Sequence, residues 1–224
     1  VPDYRSAYTS KLEGIKIGRA VGVPFDAVED EVAAAIGDVL DVLRDLGAEI
    51  IDVAVPRVTE LNDLQQVLTK AERATIYSRA LRSRPDEVSF TAHSVLYEGF
   101  LIPATRYIEA VSLRAALLQE HLTVVYGQVD VLITPVIATP VPAIADIETA
   151  DADELERIFT RSAAFVRFAS YLGIPGMSVP CGFTSNGLPT AFQLLGPPFS
   201  EARLFQVGSA YQQATSWHTM APTL

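Results

Sequence analysis

Apolar residues recur at Val32, Ile36, Val39, Leu43 and Leu46. Steps of four, three, four and three lay one stripe along a helix beginning near Asp30. Gly47 follows where a helix stops in a left-handed turn, and Glu49–Val53 then reads as a strand. The short apolar run Gly14–Gly18 ahead of the helix reads as another strand. Strand, helix and strand in this order predict a β-α-β unit with parallel strands.

Helical patterning returns from Glu60 to about Arg82, ending before Pro85, and again from about Pro103 to Tyr126, where Pro103 suits a first turn. Val129–Thr134 is almost continuously apolar, the mark of a strand buried on both faces. A loop punctuated by Pro135, Pro140 and Pro142 leads through an acidic stretch into a helix that the pattern carries through Leu172 to a stop at Gly173. One face of that helix carries Ile158, Phe165, Phe168 and Leu172. Two further strands, Met177–Phe183 and Thr190–Leu195, are joined by Thr184-Ser-Asn-Gly187, an Asn-Gly turn signal. A last helix follows Pro198, with Ser200 at the N-cap and Leu204, Val207 and Tyr211 facing inward. No repeat or linker interrupts the pattern, so residues 1–224 read as one α/β unit or a large piece of one.

Composition narrows the function classes. The net charge of −10, with lysine only at positions 11, 16 and 70, disfavours nucleic acid and anionic membrane as partners. A single cysteine excludes an internal disulfide and leaves the cytoplasm as the favoured compartment. The prolines at 135, 140 and 142 break the best apolar run, so no membrane span is expected. The chain begins at Val1 without a signal-peptide pattern, and Val1 reads as a cut end.

Candidate chemistry centres first on Gly176-Met-Ser-Val-Pro-Cys-Gly-Phe183. Ser178 stands where a nucleophile elbow would place its serine, but Pro180 replaces the second glycine and no helix follows. Cys181 needs a base nearby to act as a thiolate. His93, His121 and His218 are far apart in sequence and share no ligand spacing, so each reads as a surface or packing residue. Cys181 accordingly reads as a small buried thiol. The acidic residues Asp146, Glu148, Asp151, Asp153 and Glu154 read as a solvated loop and helix start. No phosphate-binding glycine loop, cofactor motif or metal-ligand set emerges, and no complete catalytic constellation does either.

The C-terminal half carries a wider pattern. Val129-Asp-Val-Leu-Ile-Thr-Pro135, Gly173-Ile-Pro-Gly-Met-Ser-Val-Pro-Cys-Gly-Phe183, Asn186-Gly-Leu-Pro189 and Gln193-Leu-Leu-Gly-Pro-Pro-Phe199, in this order, resemble the amidase signature family. The ending Ala210–His218 is similar to that family's last helix, and Gly14–Val53 to its middle section. The resemblance implies an α/β/α sandwich around a mixed sheet and hydrolysis of a carboxamide C–N bond. It also implies a serine nucleophile, a second serine with a cis peptide and a lysine base, all preceding the part seen here. The family includes the glutaminase-like component of tRNA-dependent amidotransferases.

On this resemblance the chain is the C-terminal part of one amidase domain, with no catalytic residue of its own. Its partners would be a small amide substrate and the missing N-terminal half, and the surface left open predicts self-association as a homo-oligomer. Thr160, Ala163 and Arg167 would line the substrate pocket. Ala163 matches an aspartate that holds the substrate amine in glutamine-using members, and Phe90 or Ala92 stands near the position of their arginine. Both departures argue against glutamine. Arg167 also reads as an ordinary solvated or salt-bridged helix residue. A free-standing small-molecule-binding module and a non-catalytic amidase-like scaffold or subunit remain as alternatives.

Overall fold

The computed structural model describes residues 3–88 and 96–222. Among them, five strands form one sheet in the order β2-β1-β3-β5-β4. They are β1 (Lys16–Val21), β2 (Glu49–Ala54), β3 (Val131–Pro135), β4 (Gly176–Phe183) and β5 (Pro189–Leu195). β2, β1 and β3 run parallel, whereas β5 is antiparallel to both β3 and β4. The sheet is therefore mixed.

Helix α1 (Asp30–Asp45) forms where its stripe predicts, burying Val32, Ile36, Val39, Leu40 and Leu43. It shares one face of the sheet with α7 (Glu201–Ala214), whose Leu204, Val207, Ala210 and Tyr211 meet Val131, Ile133, Phe192 and Leu194. The opposite face carries α2 (Val58–Ser83), α3 (Ala104–Val124) and the short α6 (Arg167–Leu172). There Leu61, Leu64, Ala110, Leu117 and Phe168 cover Val53, Leu132 and Leu195. This is an α/β/α sandwich. Each fully buried Leu, Ile or Phe adds roughly 1.5–3 kcal/mol of burial free energy, so both layers are needed to dry a sheet whose central strand is apolar on both sides.

All five residues of β3 are buried, as their unbroken apolar run predicts. The β4–β5 hairpin turns through Asn186-Gly187, with Gly187 at φ 77° and Thr184 N donating to Leu188 O at 2.7 Å. Two local expectations shift. β1 starts at Lys16, because Gly14 is in a turn at φ 79°. Ser200 occupies the N-cap of α7, but its hydroxyl donates to Pro197 O at 2.6 Å, away from the helix amides.

The main correction concerns the helix expected to run unbroken to Leu172. It is two helices, α5 (Ala152–Ser162) and α6, separated by a turn at residues 163–166. Ahead of α5 lies the short α4 (Ile144–Thr149). Phe165, Phe168 and Leu172 are fully buried, whereas Ile158 is only half-buried and lies outside their cluster. At the break Phe165 stacks on Phe25, with ring centroids 5.2 Å apart.

Candidate active site

The parallel strands branch in opposite directions. From β1 the chain crosses one face through α1 to β2, and from β2 it returns across the other face through α2 and α3 to β3. A crevice opens beyond the carboxyl ends of β1 and β3 at such a switch point, and ligands of α/β folds bind there. The loop after β1 contains a cis Val23–Pro24 bond and delivers Phe25 to the core. It is tied to the loop after β3 by Glu29 N donating to Ala138 O at 2.9 Å. Arg161 of α5 reaches Glu29 at 3.2 Å and fastens α5 beside the same loops.

A groove of about 540 Å³ lies along α5 at this end. Its lining includes Thr139, Pro142, Asp153, Glu156, Thr160 and Arg161. Of its cations, Arg157 is paired with Glu154 and Arg161 with Glu29, while Asp153 and Glu156 form no ion pair among the described residues. The Ser162 hydroxyl donates to Ile158 O at 2.8 Å, within its own helix. The lining therefore offers hydroxyls and carboxylates for hydrogen bonding, with no nucleophile set against a base.

The three residues expected to form a pocket occupy different places. Thr160 lines the groove and is exposed. Ala163 caps the end of α5, half-buried, and its carbonyl accepts from both Val166 N and Arg167 N at 3.2 Å. Arg167 starts α6, half-buried, and donates from Nη2 to Phe159 O at 3.4 Å. It forms no ion pair among the described residues. Burial is the main influence lowering its pKa, Asp63 and Glu156 oppose that shift, and Arg73 adds to it. Thr160 alone of the three borders the groove, while Ala163 and Arg167 bracket the turn behind it. Phe90, Ala92 and His93 lie outside the described residues.

Neither candidate nucleophile gains a base among the described residues. Cys181 is buried, with Sγ 3.7 Å from Thr190 Oγ1, and burial pushes its thiol pKa up. Ser178 is exposed on β4 opposite Gln193. His218 is exposed. His121 is a packing residue, one of the two readings expected, and it is buried with neither ring nitrogen hydrogen-bonded among the described residues. Two of the clustered acidic residues fill ordinary helix-start roles, since Asp151 accepts from Glu154 N at 2.9 Å and Asp146 from Ala143 N at 3.2 Å. Sequence reasoning missed Asn62 and Gln193, whose side-chain amides hold the turn between α5 and α6. Only the turn itself gives them a purpose, and the apolar pattern runs through it.

The amidase family model matches residues 1–205. The chain belongs to the amidase family. A curated amidase from Pseudomonas putida is 30% identical over the whole chain, which covers 48% of that protein. The glutamyl-tRNA(Gln) amidotransferase A-subunit from Gloeobacter violaceus is 29% identical, again over the whole chain and 50% of its own length. The fold is shared with 6-aminohexanoate cyclic dimer hydrolase, at a TM-score of 0.82 and 20% identity, covering 99% of this chain and 49% of that one. The chain thus spans about half the length of the curated amidase relatives it matches. Among the described residues no helix is long and apolar enough to cross a membrane.

Proposed function

We propose that this chain is the C-terminal portion of an amidase that hydrolyses a small carboxamide through an acyl-enzyme. In this reading a preceding half of the same domain supplies the nucleophilic serine, the second serine and the lysine, and the present chain supplies one wall of the substrate pocket. The observation that carries it is a groove at the carboxyl ends of β1 and β3, within an amidase-family chain, whose described lining can bind but not attack an amide. Nucleophile, base and oxyanion donors act as a unit, so the chain by itself is inactive. Thr160 contacts the substrate, and Ala163 and Arg167 shape the pocket from behind it. The half-buried guanidinium of Arg167, which forms no ion pair among the described residues, favours an anionic amide from behind the groove, and Ala163 offers no carboxylate to a substrate ammonium. The setting is cytoplasmic, and the exposed Val23 and Phe199 favour contact with the other half or, in its absence, self-association.

A fluorophosphonate probe tests this. The 224-residue chain is expected to stay unlabelled by mass spectrometry, and a longer protein carrying the chain to be labelled at one serine outside it. Stoichiometric labelling within the chain, at Ser178 or elsewhere, would overturn the proposal.

A further inference from the structure

The turn between α5 and α6 is restrained from two layers of the fold. Asn62, on α2, donates from Nδ2 to Ala164 O at 2.9 Å. Gln193, on β5, donates from Nε2 to Phe165 O at 3.3 Å. A continuous helix would give these two carbonyls to the amides of Phe168 and Ala169. Within the turn, Ala164 N donates to Arg161 O at 3.3 Å and Val166 N to Ala163 O at 3.2 Å, both tight three-residue closures.

Both donors are committed. Gln193 is buried, and in the antiparallel register it stands opposite Thr134 on one side and Ser178 on the other, a polar row across three strands. The Asn62 amide is turned so that its N–H end meets Ala164, while its Oδ1 is buried with no hydrogen-bond partner among the described residues. Reversing the amide would set oxygen against oxygen, so the donor is the end the site requires. Phe165, between the two held carbonyls, stacks on Phe25 at the switch-point end of β1. Phe168 packs edge-on against the same ring at 6.0 Å.

We propose that Asn62 and Gln193 are a pair of positioning residues that hold the turn at 163–166 and thereby set where Thr160 stands at the groove and Ala163 and Arg167 behind it. Neither lines the groove. They act through the backbone that carries the pocket wall, so their loss shifts substrate affinity ahead of turnover. The catalytic consequence rests on the amidase reading above, whereas the conformational one does not.

The test uses the 224-residue chain with Asn62→Asp and Gln193→Glu, isosteres that remove the donor, and with Gln193→Met, which keeps the size without burying a charge. Thr134→Val is the control, because Thr134 is equally buried beside Gln193 but bonds Pro135 O at 2.9 Å. Hydrogen exchange at residues 163–168 and tryptic cleavage after Arg161 and Arg167 are followed together with exchange in β3. Each donor variant is expected to raise opening of the turn about tenfold, as loss of one buried hydrogen bond predicts, with β3 unchanged and the control at wild-type rates. An unchanged turn, equal opening in the control, or opening that spreads equally through β3 would overturn the proposal. In a longer, amide-hydrolysing protein the same variants should raise KM about tenfold and leave kcat within about twofold. If that protein hydrolyses no amide, the amidase reading fails while the exchange result decides the clamp. If hydrolysis proceeds but the turn is unmoved, the clamp fails and the amidase reading stands.

Discussion

Protonation of His121 should cost this fold a large share of its stability in acid. The residue lies in the last turn of α3, 1% exposed, with its ring 5.5 Å from that of Tyr126 and 6.0 Å from that of Phe168. Among the described residues neither nitrogen has a hydrogen-bond partner, and the Tyr126 hydroxyl is likewise buried without one. A cation placed there would lose its hydration with no acceptor in return, and burial lowers the His121 pKa from 6.5 to about 4. The folded pKa is depressed, so the unfolded chain binds the proton more readily. Above pH 6.5 the group costs nothing. As pH falls from 6.5 toward 4, folding loses about 2 kcal/mol by pH 5 and about 3 kcal/mol by pH 4, then little more from this residue. Against a typical domain stability of about 5–15 kcal/mol, that loss is large. The assay is urea unfolding of wild type and His121→Leu between pH 7.5 and 4, followed by circular dichroism. Titration common to both proteins cancels in the difference. Leucine is close in volume and leaves no nitrogen to satisfy, so the two should be within about 2 kcal/mol at pH 7.5. The variant should then gain about 3 kcal/mol on the wild type by pH 4. Parallel pH profiles would refute the reasoning, because they would mean that the folded protein accommodates the imidazolium.

Two further outcomes follow from the site. Cys181→Ser should destabilise the chain by about 1–3 kcal/mol, because a more polar hydroxyl replaces a thiol buried in an apolar cluster, and should leave turnover of a longer amidase within a few-fold; a thousandfold loss in a folded protein would make the thiol chemical. Arg167→Ala in that longer protein should raise KM for anionic amides about three- to tenfold, because it removes a cation that attracts them from behind the groove, and leave neutral amides nearly unchanged. Equal effects on both substrate classes would return Arg167 to a purely structural role.

Much of this architecture is written locally. The stripe from Val32 to Leu43 determines α1, since every fourth or third side chain meets the same sheet face whatever else surrounds it. The unbroken apolar run of β3 requires cover on both sides, and so calls for layers on each face before either is seen. Asn186-Gly187 marks the hairpin, because the turn needs Gly187 in a left-handed conformation, φ 77°, that glycine adopts without strain. Even the family is legible, through motifs whose order survives where single motifs are loose. The pocket wall is different. Residues 152–172 carry a helical pattern throughout, with two alanines at the point where the helix breaks, so local propensity argues for continuity. The break exists because Phe25 arrives from the loop after β1, Asn62 from α2 and Gln193 from β5, each distant in sequence, and together they claim the ring and carbonyls that a helix would have used. His121 shows the same division: its place near the end of a helix can be read from the chain, but the absence of any partner for its nitrogens depends on what α6 and Tyr126 bring against it. Periodicity reports which face of an element is buried, and only tertiary packing decides which polar atoms meet there.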